Sequence, residues 1–274
     1  MDCLLNFPGI ILMKMRDIRI PLLAFFLVSF YSCSTPPKIE KEVVLHKPET
    51  VIQMASINLS GFNKRMERKS INDLAAVLKQ EQVEVLAVQG ISRYPGVATR
   101  IDFVNELSAK TDWRNVFGEM LNISGRQTGN AIFSVYPILS HQNISWDGVR
   151  SKSFEAALQA TVDAGARSLI VVSAQLPPKA TVQEQEKCAK LIASMNPDTV
   201  HQYTIVSGNM PSDEGIRTMH SFAEVSLPES AKSTTSKIWY SATVSLQLLA
   251  SRSVETELGT LVIAQFGFMR QEKH

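Results

Sequence analysis

The sequence predicts an α/β (α+β) chain in which two β-sheets pack together with helices outside, and three features lead there. Strand-like runs recur along the chain with only a few helix-like stretches among them, an order that calls for layered sheets. Some runs, such as Val83–Gln89, are apolar nearly throughout, as strands buried on both faces are. Hydrophobic residues make up 45% of the chain and charged residues 20%, enough apolar material for a sizeable core and too much for global disorder.

In chain order, Val51–Leu59 is the first strand pattern. Ser70 followed by Asp73 predicts a helix start with a side-chain cap, and Leu74, Val77 and Leu78 form that helix's apolar stripe. After Val83–Gln89 comes a second helix pattern, Arg100–Lys110. Strand patterns then cover Arg114–Leu121, Asn130–Val135, Ile138–Trp146, Glu155–Val162 and Ser168–Leu176. A helix pattern over Val182–Met195 precedes the strand Gln202–Gly208. A Ser/Thr-rich loop leads to two closing strand patterns, Lys237–Leu249 and Gly259–Phe268. The pattern predicts one domain over residues 51–274, with no internal repeat.

The N-terminal region reads differently. Lys14, Arg16 and Arg19 form a basic start, and an apolar run follows from Ile20 to Tyr31. The run is shorter than the roughly 20 residues a membrane span needs, so a secretory signal over residues 1–32 is expected. Translation is expected to begin at Met13 or Met15, because the residues before them are out of place ahead of a basic start. Ser32-Cys33 and the polar stretch after it resemble a bacterial lipoprotein signal, although Phe30 and Tyr31 stand where an aliphatic and a small residue are usual. The resemblance implies a lipid on Cys33, a Pro- and Lys-rich tether over residues 33–50, and a cell-envelope location, outer membrane or periplasm-facing.

Cys3 and Cys33 fall in the export region, which leaves Cys188 as the one thiol of the body and no disulfide. Cys188 lies in a helical pattern and reads as a buried, inert thiol. The formal net charge is +2, from 28 basic and 26 acidic residues, and gives no footprint of a dedicated nucleic-acid binder.

The order of segments carries a second resemblance. The strand ending at Asn58, the strand ending at Gln89-Gly90, the stretch Gly129–Ile138, the strand Ile170–Pro177 with Gln175-Leu176, the stretch Tyr203–Pro211, the strand around Trp239 and the closing stretch Thr256–Phe266 follow one another along nearly the whole body. In that order and spacing they resemble the landmarks of the endonuclease/exonuclease/phosphatase superfamily, which includes deoxyribonucleases, sphingomyelinases and inositol phosphatases. The resemblance implies a four-layer sandwich of two packed mixed β-sheets flanked by helices, and a magnesium-dependent hydrolysis of phosphate esters.

Residue by residue, the chemistry departs from that pattern. Asn58 is retained, and Gln89 is retained, but the family's metal-binding Glu is Gly90. The His of the family's His-Leu is Gln175, which can donate a hydrogen bond but carries no charge. In the family's Gly-Asp-Phe-Asn, the Asp is Asn209 and the last Asn is Pro211. The Asp of the Ile-Asp-Tyr-Ile strand is Trp239, and the closing Ser-Asp-His reads Thr256, Glu257, Leu258. Magnesium prefers carboxylate and water oxygens, so the remaining candidate ligands are Asp213, Glu214 and Glu257. His141, His201 and His220 sit in unrelated segments and read as structural or surface residues.

Loss of a general acid or base lowers a rate by about 10²–10⁴, and loss of the metal removes the charge stabilisation that phosphoryl transfer needs. The expectation is a non-catalytic, membrane-tethered binding or scaffolding protein with no cofactor, whose cleft of neutral amides (Asn58, Gln89, Gln175, Asn209) takes a polar ligand or an envelope protein. The alternative is a metal-dependent phosphodiesterase, nuclease or phosphatase with a rearranged site, for which magnesium would be the cofactor.

Overall fold

Apolar residues alternate along β1 (Thr50–Asn58) in a way that serves two layers at once. Ile52 and Met54 enter one hydrophobic cluster, while Ala55 and Ile57 enter another on the opposite face. Successive side chains point to opposite faces of a strand, so a strand apolar at both parities must be covered on both sides. The computed structural model describes residues 48–60, 67–94, 100–145, 156–165, 167–176, 181–194, 202–209, 222–227, 236–241 and 245–269.

The first sheet holds six strands in the order β11 (Leu246–Thr256), β12 (Gly259–Phe268), β1, β2 (Val85–Arg93), β4 (Arg126–Ser134), β3 (Arg114–Ile123). The second also holds six, in the order β5 (Ile138–Ser145), β6 (Ala156–Asp163), β7 (Ser168–Gln175), β8 (Gln202–Asn209), β10 (Lys237–Ser241), β9 (Phe222–Glu224). Both sheets are mixed. β1 and β2 run parallel, joined through α1 (Arg68–Gln80), and β7 and β8 run parallel, joined through α3 (Val182–Ser194).

Between the sheets, Ile52, Met54, Val85, Ile132, Val262 and Phe266 meet Leu158, Val171, Ile205 and Ile238. On the outer face of the first sheet, α1 and α2 (Phe103–Thr111) bury Ile71, Leu74, Leu78, Phe103, Val104 and Leu107 against Val88, Phe133 and Ile263. On the outer face of the second, α3 buries Cys188, Ala189 and Ile192 against Val172, Val206 and Trp239. The result is the expected four-layer α/β sandwich.

Three local expectations change. The cap predicted at Ser70 is absent: α1 starts at Arg68 after Glu67, without a side-chain cap bond, and the Ser70 hydroxyl donates instead to Glu257. The pattern Lys237–Leu249 is two strands in different sheets, because β10 pairs with β8 and β9 whereas β11 pairs with β12. β-Propensity marks both pieces and carries no record of which sheet each one joins. β11 also continues to Thr256 as a half-exposed edge strand, and its polar second half has no apolar alternation to mark it. The cap of α2 is supplied by Asp102, whose carboxylate accepts from the amides of Val104 and Asn105.

Candidate functional site

The two parallel pairs end at the same level of the sandwich. Asn58 of β1 is the register partner of Gln89 of β2, and Gln175 of β7 is that of Asn209 of β8. Strand parity puts all four on inner faces, since they continue the series Ile52, Met54; Val85, Ala87; Leu169, Val171; and Tyr203, Ile205, which line the core between the sheets. Carboxyl ends of parallel strands are where α/β proteins commonly place ligands.

Just below that level the core turns polar. Gln89 is fully buried, and its amide donates to the hydroxyls of Ser56 at 3.3 Å and Ser173 at 3.1 Å. Ser236 donates to Gln89 Oε1 at 3.3 Å, and its oxygen lies 2.6 Å from that of Ser56. Ser173 donates to the Val88 carbonyl, and the amide of Asn130 donates to the Ser173 carbonyl, each at 3.1 Å. The set ties the first sheet (Ser56, Gln89, Asn130) to the second (Ser173) and to Ser236, and every member is neutral. Hydrogen bonding lets neutral groups stay in a low-dielectric interior where an unpaired carboxylate would be costly. Ser173→Ala removes a donor to Val88 and an acceptor for Gln89, and is expected to lower unfolding free energy by about 1–2 kcal/mol in urea titrations. An unchanged midpoint would show that this network contributes nothing to stability.

Above the network, position 90 is closed to side chains. Gly90 sits in a β-bulge with φ +66°, and a Cβ built there would lie 2.9 Å from the Cα, Cβ and Oγ of Ser60. Ser60 fills that space and turns to Asn58, whose Oδ1 accepts from both the backbone amide and the hydroxyl of Ser60. Gln175 reaches the same hydroxyl from the other sheet, donating at 3.4 Å.

Beyond this lies an open cleft of about 370 Å³, lined by Ser60, Gly90, Gln175 and four residues of the β3–β4 hairpin: Leu121, Ile123, Arg126 and Thr128. Ser124 and Gly125 make the hairpin's two-residue turn, both at positive φ (51° and 81°), as a type I′ turn requires.

No protein-family model and no curated protein sequence matches the chain. Solved structures do. An endonuclease/exonuclease/phosphatase family protein from Leptotrichia buccalis superposes with a TM-score of 0.60 at 12% identity, over 79% of this chain and 100% of that one. The endonuclease/exonuclease/phosphatase from Bacteroides vulgatus gives 0.62 at 11% identity, over 80% and 100%. D. rerio TDP2, solved with a single-strand DNA product, gives 0.60 at 13% identity, over 80% and 100%. The chain has the endonuclease/exonuclease/phosphatase fold.

On this fold, the positions singled out from the sequence separate into three groups. Asn58, Gln89, Gly90 and Gln175 come together as described, and Asn209 stands beside Gln175 on the inner face. Trp239, Glu257 and Leu258 do not join them. Trp239 is fully buried on the outer face of the second sheet, in the cluster with α3. Leu258 packs in the cluster of α1 and α2. Glu257 is exposed and bonds Lys69 at 2.6 Å and the Ser70 hydroxyl at 3.0 Å, both on α1. Hydrogen bonding from Lys69, then from Ser70, holds the Glu257 carboxyl below its ordinary range, and hydrogen bonds to Glu257, then to Asp73, raise Lys69. Pro211, Asp213, Glu214, His201, His220 and Cys33 lie outside the described residues. His141 is an exposed residue of β5.

Magnesium, which the fold family implies, does not fit the described residues. Asn58 Oδ1 is already occupied by two donors, position 90 has no room for a carboxylate, and Gln89 is enclosed by hydroxyls. Among the described residues no three His, Cys, Asp or Glu side chains cluster in a way that could hold a metal ion.

Sequence reasoning passed over Ser56, Ser173, Ser60, Asn130, Ser236 and the hairpin residues. Strand parity could have found the first two, each two residues before a singled-out amide on the same face. Ser60, Ser236 and Arg126 carry no such local signal.

Proposed function

We propose that the domain is a non-catalytic binding module on the endonuclease/exonuclease/phosphatase fold, exported and tethered to a membrane through a lipid on Cys33. The observation that carries the first part is the closure of position 90. Ser60 occupies the space a ligating side chain would need there, and it places two donors on the Oδ1 of Asn58. The neutral network beneath supports the same reading, because no ionisable group in it is available to move a proton or hold a cation. D. rerio TDP2 was solved with single-strand DNA, but among the described residues the cleft has one cationic lining residue, Arg126, where a strand-binding groove needs a track of them.

Calorimetric titration of the purified full chain with magnesium and manganese, run beside a generic phosphodiester substrate, tests this reading. Neither saturable uptake nor metal-dependent turnover is expected. Micromolar to millimolar metal binding with turnover would overturn it, and Asp213, Glu214 and Glu257 would then be the first residues to replace.

The tether rests on the basic start, the short apolar run and Cys33. Lipoprotein processing places several acyl chains on such a cysteine, and two or more anchor stably. Cys33→Ala is expected to move the protein from the membrane pellet to the soluble fraction of a producing cell. Continued sedimentation with membranes would remove the lipid from the account.

A further inference from the structure

We infer that the cleft binds a small amphipathic organic anion, its single acidic head group on Arg126 and its hydrocarbon body on Leu121 and Ile123. The inference deepens the non-catalytic reading of the same site and rests on it.

The β3–β4 hairpin is what builds the subsite. Its register sets Leu121 opposite Thr128 and Ile123 opposite Arg126, so two apolar side chains and two polar ones stand side by side on one face. All four line the cleft, with Ser60, Gly90 and Gln175 as the facing wall. Ile123 is 56% exposed, among the most exposed large hydrophobics of the described residues. An exposed isoleucine alone is ordinary. One that forms the lip of a concave site beside a guanidinium offers apolar surface next to charge.

Arg126 is held in place by a neutral partner. Its Nε and Nη2 both donate to the Ser92 hydroxyl at 3.2 Å, and Ser92 in turn lies 3.2 Å from the Thr128 hydroxyl. Among the described residues no carboxylate pairs with Arg126. Ser92 takes the Nε–Nη2 edge, which leaves the Nη1–Nη2 edge of the guanidinium for the two oxygens of a carboxylate or a phosphate monoester. Among the described residues the rest of the lining is neutral, so one negative charge is matched there and a second is not. The volume, about 370 Å³, lies at the low end of small-molecule sites and fits a short ligand rather than a polymer.

The test is calorimetry on the purified full chain with EDTA present, using hexanoate, hexyl phosphate, acetate and hexanol. Hexanoate or hexyl phosphate is expected to bind saturably, at least tenfold more tightly than acetate or hexanol, and the preferred one of the pair identifies the head group. Arg126→Gln is expected to weaken the charged probe about tenfold, with Arg126→Lys in between because charge is kept and the fork is lost. Ile123→Ser is expected to narrow the gap between hexanoate and acetate while leaving the urea midpoint unchanged. Equal binding of hexanol and hexanoate, equal binding of acetate and hexanoate, an unaffected Arg126→Gln variant, or no binding of any probe would each overturn the assignment. If no probe binds and the chain also takes up no metal, the non-catalytic reading stands and only the ligand class falls. If hexyl phosphate binds only when magnesium replaces EDTA, the non-catalytic reading itself fails.

Discussion

Trp239→Ala is expected to lower the unfolding free energy by about 3–5 kcal/mol, the range for deleting a large buried aromatic side chain. Among the described residues Trp239 is the largest of the fully buried side chains, and it fills the layer between the second sheet and α3 with Val206, Phe222 and Ala174. The more informative change is Trp239→Asp. By the resemblance in the sequence, that substitution puts back the Asp of the superfamily's Ile-Asp-Tyr-Ile strand. In the folded chain it places a carboxylate among apolar side chains on the face turned away from the cleft. Burying an unpaired charge costs more than the cavity alone, so the Asp variant is expected to be less stable than the Ala variant and to gain no activity. Urea titration and a phosphodiesterase assay on both variants decide this. A stable Asp variant with metal-dependent turnover would mean that position 239 faces the site after all.

Gly90→Glu is the second large effect, expected at about 2–4 kcal/mol of destabilisation with no gain of magnesium binding. The left-handed backbone at Gly90 costs a non-glycine residue about 1–3 kcal/mol. The new Cβ would also press on Ser60 at 2.9 Å, and part of that contact is with the Ser60 Cα, which no rotamer change relieves. Adding Ser60→Gly is expected to recover some stability by removing the side-chain part of the clash, and still to leave magnesium unbound. The check is a urea midpoint for each variant with a magnesium titration beside it. Wild-type stability with saturable magnesium uptake in the single variant would show that the site is one carboxylate away from a metal centre, and would remove the main support for a binding module.

Much of the architecture was legible in the residues. Val51–Leu59 and Val83–Gln89 are apolar at both parities, and both became central strands covered on two faces. The helix pattern with Leu74, Val77 and Leu78 became α1, with Leu74 and Leu78 buried. The failures were at joints. Ser70 looked like a cap because a hydroxyl ahead of an apolar stripe is the usual signal, yet its partner is Glu257, 187 residues away. The run Lys237–Leu249 looked continuous because nothing local marks the crossing from one sheet to the other.

The candidate site divides along the same line. The sequence by itself determined which residue types are present at the strand ends: amides at 58, 89, 175 and 209, a glycine at 90, and no histidine at 175 or 258. Parity along each strand then placed the amides on one face, since alternation is a property of the local backbone. Only the tertiary structure decided what those residues touch. It paired the oxygen of Ser56 with that of Ser236 across 180 residues of chain, set Ser60 into the space beside Gly90, turned Trp239 and Leu258 toward the helices, and brought Arg126 to the mouth of the cleft. Such contacts depend on sheet order and register, which arise from the packing of distant segments and have no signature in any one of them.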